Sequence, residues 1–112
     1  MLPAGQASRS KEGTVPVVTV FQNPSWTREE YEEGVRRLTG KDRMESPADW
    51  PVEGLLAHIA GEGPNGFRVV DVWASEEAFG RFIEALMPVL QEVGPGNAGE
   101  PEVYPAHTFV SA

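Results

Sequence analysis

The six residues Gly61-Glu62-Gly63-Pro64-Asn65-Gly66 restrict the fold more than any other stretch of this chain. Three glycines, a proline of fixed φ and an asparagine that tolerates left-handed backbone favour a turn over continuation of either neighbour. On each side stands a short apolar run, LLAHIA over residues 55–60 and FRVVDVW over residues 67–73. Runs of this length, bounded by glycine, read as strands rather than helix. A connection this short between two strands makes an antiparallel hairpin. After the hairpin, Ser75 is placed to cap a helix, with Glu76 and Glu77 where the helix dipole favours negative charge. Phe79, Phe82, Ile83, Leu86, Leu90 and Val93 then recur at helical spacing on one face. Pro88 has no donor for the Glu84 carbonyl and predicts a kink, and Gly94-Pro95-Gly96 predicts the stop.

The remaining elements follow in chain order. Residues 1–13 mix small, polar and charged side chains without an apolar period and read as a flexible arm; residues 14–112 form one domain. Residues 14–21 (TVPVVTVF) are a β-branched strand with Pro16 near its start, where a missing donor is tolerated. Thr27 and Glu30 make a T-x-x-E capping box, with Trp26 stapling onto Tyr31 across it. The helix behind it carries Tyr31, Gly34, Val35 and Leu38 on one face and ends at Thr39-Gly40. Residues 41–54 form a long connection in which Pro47 and Pro51 flank Asp49-Trp50, and connections this long are often functional. The last strand spans residues 102–110 (EVYPAHTFV), with Pro105 arguing for an edge position or a bulge.

The order strand, helix, strand, strand, helix, strand predicts an α+β, ferredoxin-like βαββαβ fold, with two helices on one face of a four-stranded antiparallel sheet. The strands do not alternate cleanly. Val15, Val17, Thr19 and Phe21 share one face of the first strand while Val18 and Val20 take the other; Phe67, Val69 and Trp73 likewise oppose Val70 and Val72. Both faces therefore want cover, and two helices cover only one. Burying about ten such side chains gains roughly 15–30 kcal/mol gross, more than the roughly 4–15 kcal/mol that rigid pairing costs. A homodimer, sheet against sheet about a two-fold axis, is the expected cover.

Charge and composition remove several function classes. The formal net charge is −8 with nine Lys and Arg, so a nucleic-acid phosphate backbone or an anionic membrane is not the expected partner. Without cysteine there are no disulfides, thiolate nucleophiles or thiolate metal sites. No apolar run reaches the length of a membrane span or a signal-peptide core, so a cytoplasmic location is expected. No metal is expected, because the two histidines stand on separate strands without an H-x-x-x-H spacing. Haem lacks a helical histidine ligand. No G-x-G-x-x-G or P-loop marks a nucleotide cofactor, and none is expected.

The order of elements, the GLLAHIAG…NGFRVVDVWASEEAFGRF core and the closing EVYPAHTFV resemble the dimeric α/β-barrel superfamily, and within it small proteins similar to antibiotic biosynthesis monooxygenases. The resemblance covers residues 15–110. It implies a homodimer and a pocket between sheet and helices for a small apolar, aromatic or polyketide-like molecule. It also implies cofactor-independent oxygenation, cyclisation or isomerisation. The Asn–Trp–Tyr constellation of the quinone-forming oxygenases is not found at matching positions.

The candidate catalytic residues are His58, His107 and Asp71. An imidazole suits proton transfer near neutral pH, although a half-buried histidine satisfied by a carbonyl or water reads the same way in sequence. In the resembled topology His58 and His107 lie at opposite edges of one sheet and approach only across a dimer. If the hairpin pairs Ala60 with Phe67, Asp71 lies diagonally from His58 on the same face, where it orients the ring. A one-residue slip puts Arg68 there instead. The structural alternative pairs Asp71 with an arginine or backbone donors. Tyr31, Trp50, Trp73 and Phe82, with Arg68, are the expected substrate-binding residues, and core packing competes for each aromatic ring. The rival to an enzyme is a non-catalytic ligand-binding or dimeric assembly module.

Overall fold

In the computed structural model, which describes residues 15–93 and 100–111, hairpin and first strand build one sheet. Strand β1 (Val17–Asn23) leads through a turn to helix α1 (Arg28–Thr39). A 3-10 turn (Pro47–Asp49) precedes β2 (Leu55–Gly63), β3 (Gly66–Trp73), helix α2 (Glu76–Val93) and β4 (Glu102–Pro105). The sheet order is β2-β3-β1-β4, and every neighbouring pair is antiparallel. This is the expected ferredoxin-like α+β fold.

Local chemistry sets the element ends. Thr27 and Glu30 close the capping box on α1 from both sides, and Gly40 ends it at φ 76°, donating to the Arg36 carbonyl, a left-handed stop that costs glycine little. Trp26 meets Tyr31 edge-to-face at 6.3 Å, as the staple requires. The Ser75 hydroxyl accepts from the Ala78 amide at 3.1 Å. Helix α2 continues through Pro88; its expected glycine stop and the arm at residues 1–13 lie outside the described residues.

Three boundaries differ from expectation. β1 begins only at Val17, after Pro16, and runs on to Asn23. β2 extends through Gly61, Glu62 and Gly63, so the turn shrinks to Pro64-Asn65 and Gly63 faces Gly66. Glycine favours a turn, yet in an edge strand its backbone pairs as any other does. Gly66 itself needs its identity: at φ 107°, a Cβ there would stand 2.3 Å from the Asn23 carbonyl oxygen. β4 stops at Pro105 instead of running to residue 110, because the next position of β1 is Pro16, which has no amide to return a bond to Ala106. Only Ala106 adds a further bond, to the Pro16 carbonyl at 2.8 Å.

The register defines two faces. His58, Asp71, Thr19 and Val103 form one cross-strand row, and Ile59, Val70, Val20 and Glu102 form the next, on the opposite face. The first face carries the core of Phe21, Leu55, Phe67, Val69 and Trp73, closed by Val35 of α1 and Ala78, Phe82 and Leu86 of α2. On the outer face Ile59 is 66% exposed and Tyr104 47%.

Candidate functional site

Two charged or polar residues are buried on the helix side of the sheet, Thr19 and Asp71. Each has a partner. Thr19 accepts from the Trp73 indole N–H at 3.2 Å. Asp71 lies directly across from His58, one step nearer than the diagonal expected from an Ala60–Phe67 pairing, because Ala60 faces Val69 instead. The Asp71 Oδ1 to His58 Nδ1 distance is 2.6 Å. Neither an arginine nor a backbone amide takes this place.

Helix α1 supplies a third member. Its inward stripe brings Tyr31 over β2, where the phenol oxygen stands 2.6 Å from His58 Nε2 and the two rings stack with centroids 5.9 Å apart. An ionised Asp71 accepts from Nδ1–H, which leaves Nε2 as the acceptor for the Tyr31 hydroxyl. Burial pushes the Tyr31 phenol up to about 12, with the Asp71 charge adding to the effect. Burial also raises Asp71, against the opposing hydrogen bond from His58. The three residues thus form an unbroken line, Tyr31–His58–Asp71, in which both imidazole nitrogens are engaged.

Trp50 completes the surround. Asp49 holds the preceding loop, accepting from Lys41 Nζ at 2.8 Å and from the amides of Glu45 and Ser46 at 2.9 and 3.0 Å. The indole that follows is buried, 5.2 Å from the His58 ring and stacked at 5.4 Å on Phe82. Its Nε1 is the buried side-chain polar atom left without a partner among the described residues.

Two spaces meet at this line. Between sheet and helices lies a cavity of about 60 Å³, walled by carbon atoms of Phe21, Val35, Trp50, Val69, Phe82 and Leu86. Outside it, a groove of about 640 Å³ runs between α1, residues 42–44 and β2. It is edged by Arg28, Arg36 and Arg43 together with Glu32, Asp42 and Glu62. Arg28 bridges to Glu62 at 2.7 Å, tying α1 to β2. Tyr31, Val35 and His58 line both spaces and form the wall between them.

Of the residues expected from sequence, His58, Asp71, Tyr31, Trp50 and Phe82 therefore come together. Three do not. Arg68 pairs with Gly61 and Gln22, a register that turns it to the exposed outer face. Trp73 is fully buried and packs on Phe79 and Phe82 without reaching the cavity. His107 lies exposed beyond β4, at the far sheet edge from His58. What sequence reasoning missed was the Tyr31–His58 bond. The signal was the stripe Tyr31, Val35, Leu38, which aims Tyr31 at the sheet without saying which strand residue it meets. No cluster of three metal-ligating side chains occurs among the described residues, and no described helix is long and apolar enough to cross a membrane.

No family model matches the chain, and no curated protein matches it. Among solved structures it is similar to a protein from Shewanella loihica PV-4 described as a putative monooxygenase, at 20% identity and a TM-score of 0.50. The match covers 89% of this chain and 99% of that one. At this identity the likeness is one of fold.

Proposed function

We propose that this chain is a small-molecule enzyme that works by proton transfer through Tyr31, His58 and Asp71, without metal or nucleotide, on an aromatic or polyketide-like ligand. The observation that carries the reading is the continuous pair of 2.6 Å contacts set in the wall between groove and cavity. The 640 Å³ groove falls within the roughly 300–1,000 Å³ typical of ligand pockets, whereas the 60 Å³ cavity does not. The organic ligand therefore lies in the groove.

The engaged imidazole changes which group meets that ligand. Neither ring nitrogen of His58 is free, so the phenol of Tyr31 is the contacting acid or base. As Tyr31 takes a proton from an acidic C–H or O–H, it passes its own to His58 Nε2. No phenolate accumulates, which a phenol raised to about 12 would resist. The positive charge arrives on an imidazole beside buried Asp71, which holds the ring and stabilises the imidazolium. Oxygenation, cyclisation and isomerisation all begin with such a proton loss. The expected homodimer belongs to the same proposal, with the outer apolar face as its interface and His107 as an anchor contributed across it.

Proton transfer is testable before the natural substrate is known. A panel of phenols, hydroquinones and 1,3-diketones is incubated in deuterated buffer, and exchange at the acidic position is read by mass spectrometry. The wild-type chain should accelerate exchange for at least one member. Tyr31→Phe and His58→Ala should each lose about 10²-fold or more of that acceleration, as removal of a positioned acid or base does. Exchange at wild-type rates in both variants would end the proposal.

A further inference from the structure

A weak nucleophile becomes reactive when a base within about 2.6–3.2 Å takes its proton and a third group orients that base. Tyr31 has such a base in His58 Nε2, and His58 has such an orienting group in Asp71 on Nδ1, each at 2.6 Å. The phenol also lines the open groove, and a phenol oxygen is able to form covalent intermediates. Oxygen nucleophile, imidazole and buried carboxylate stand in the order of a hydrolytic triad, with a phenol in place of the serine hydroxyl. The groove selects among electrophiles. A phosphoryl or sulfuryl group would need free cations, but Arg28 is bridged to Glu62 and Arg36 to Glu33, both at 2.7 Å. Arg43 is outnumbered on the same rim by Glu32 and Asp42. An uncharged ester meets no such repulsion, and Met44 and Phe67 beside Val35 offer its hydrocarbon an apolar wall.

The geometry points to a second activity at this line: Tyr31 is a nucleophile that takes the acyl group of an uncharged aryl ester held in the groove, with His58 as its base and Asp71 holding the imidazole. As the phenol oxygen bonds to the ester carbonyl carbon, its proton passes to His58 Nε2. The bond from that carbon to the leaving phenol then breaks, and the imidazolium returns the proton to the departing oxygen. Water from the open groove attacks the acyl-Tyr31 ester, again giving its proton to His58, and the carboxylic acid leaves as Tyr31 is restored. The sum is ester and water to acid and phenol, with nothing oxidised or reduced. Acyl groups move between oxygens towards the more basic one. Burial raises the Tyr31 phenol from 10.0 to about 12, so transfer from an ordinary phenyl ester runs downhill. Transfer from an alkyl ester, whose alkoxide is more basic still, runs uphill.

Two p-nitrophenyl esters test this on the wild-type chain. p-Nitrophenyl acetate reports turnover as nitrophenol release. p-Nitrophenyl dimethylcarbamate leaves a carbamoyl group that hydrolyses slowly, so peptide mass spectrometry finds the residue that carries it. N-acetyltyrosine amide in the same solution is the comparison phenol. Tyr31 should be carbamoylated about 10²-fold faster than that phenol or more, the margin a positioned base supplies. Tyr31→Phe and His58→Ala should each lose a like factor of acetate turnover. If neither variant folds, the ratio measured in wild type decides alone. A ratio near one, or nitrophenol release at the wild-type rate in folded Tyr31→Phe, would overturn the nucleophile. The inference uses the same two contacts as the proton-transfer reading but not C–H proton loss, so the two fail separately. Carbamoylation without deuterium exchange would keep the nucleophile and remove the C–H chemistry; exchange without carbamoylation would do the reverse.

Discussion

At Tyr31 the phenol faces three demands: it is half-buried, it stacks on His58, and its hydroxyl donates a hydrogen bond to Nε2. The folded chain should hold it neutral to about pH 12. The difference between the ultraviolet titrations of wild type and Tyr31→Phe should therefore show one phenol ionising near that value, well above the ordinary 10.0. The sign of the stability effect follows. A group whose folded value is raised contributes stability fully present below pH 10, which is lost as pH rises towards 12; a difference titration centred at 10 would contradict the burial. Thr19 offers a test of the packed side of the same row. Thr19→Val keeps the shape and leaves the Trp73 N–H unpaired, at a cost of about 1–3 kcal/mol read by chemical denaturation, whereas Thr19→Ser should recover most of it. These pairings were partly legible beforehand. A carboxylate within FRVVDVW and a histidine within LLAHIA pointed at one another, but whether they met diagonally or face to face depended on the turn. The same dependence makes Arg68 the alternative in the sequence.

At the level of elements, ends marked by side-chain chemistry were the readable ones. The T-x-x-E box, the Trp26–Tyr31 staple and Gly40 place α1 where the sequence puts it. Thr27→Ala should cost about 1 kcal/mol of stability, with loss of helix content measured by circular dichroism at raised temperature; an unchanged midpoint would show that the cap does not hold this helix. Ends set by pairing were harder. Nothing local distinguishes Gly61-Glu62-Gly63 in a turn from the same residues in an edge strand, because β3 decides by offering Arg68 and Phe67 as partners. Pro105 was legible as an edge residue, but the end of β4 there depended on what β1 could still pair with. The loop at Trp50 shows a third case. Two prolines and an aspartate announced an ordered connection, and only the packing of α2 told which way the indole turned.

Over the whole molecule, the sheet is closed on one side by helices and open on the other. On that side Val20 is buried, Val18, Val70 and Val72 are half-buried and Ile59 is largely exposed, an arrangement a second copy would cover. Sedimentation at micromolar concentration should give a dimer, and Ile59→Lys should shift it towards monomer without loss of secondary structure; a stable wild-type monomer would remove the two-fold interface and the role of His107 with it. The fold itself could be read from element order alone, since six elements in that sequence admit few sheet topologies. The function could not, because the same fold hosts unrelated activities and the decisive contact joins Tyr31 and His58 across 27 residues of chain. That contact is most directly tested by nitrogen-15 NMR of the His58 ring at neutral pH. The Tyr31–His58–Asp71 line predicts a proton on Nδ1 facing Asp71, and an Nε2 resonance that shifts when Tyr31 becomes Phe. A ring protonated on Nε2, or one indifferent to Tyr31→Phe, would contradict it.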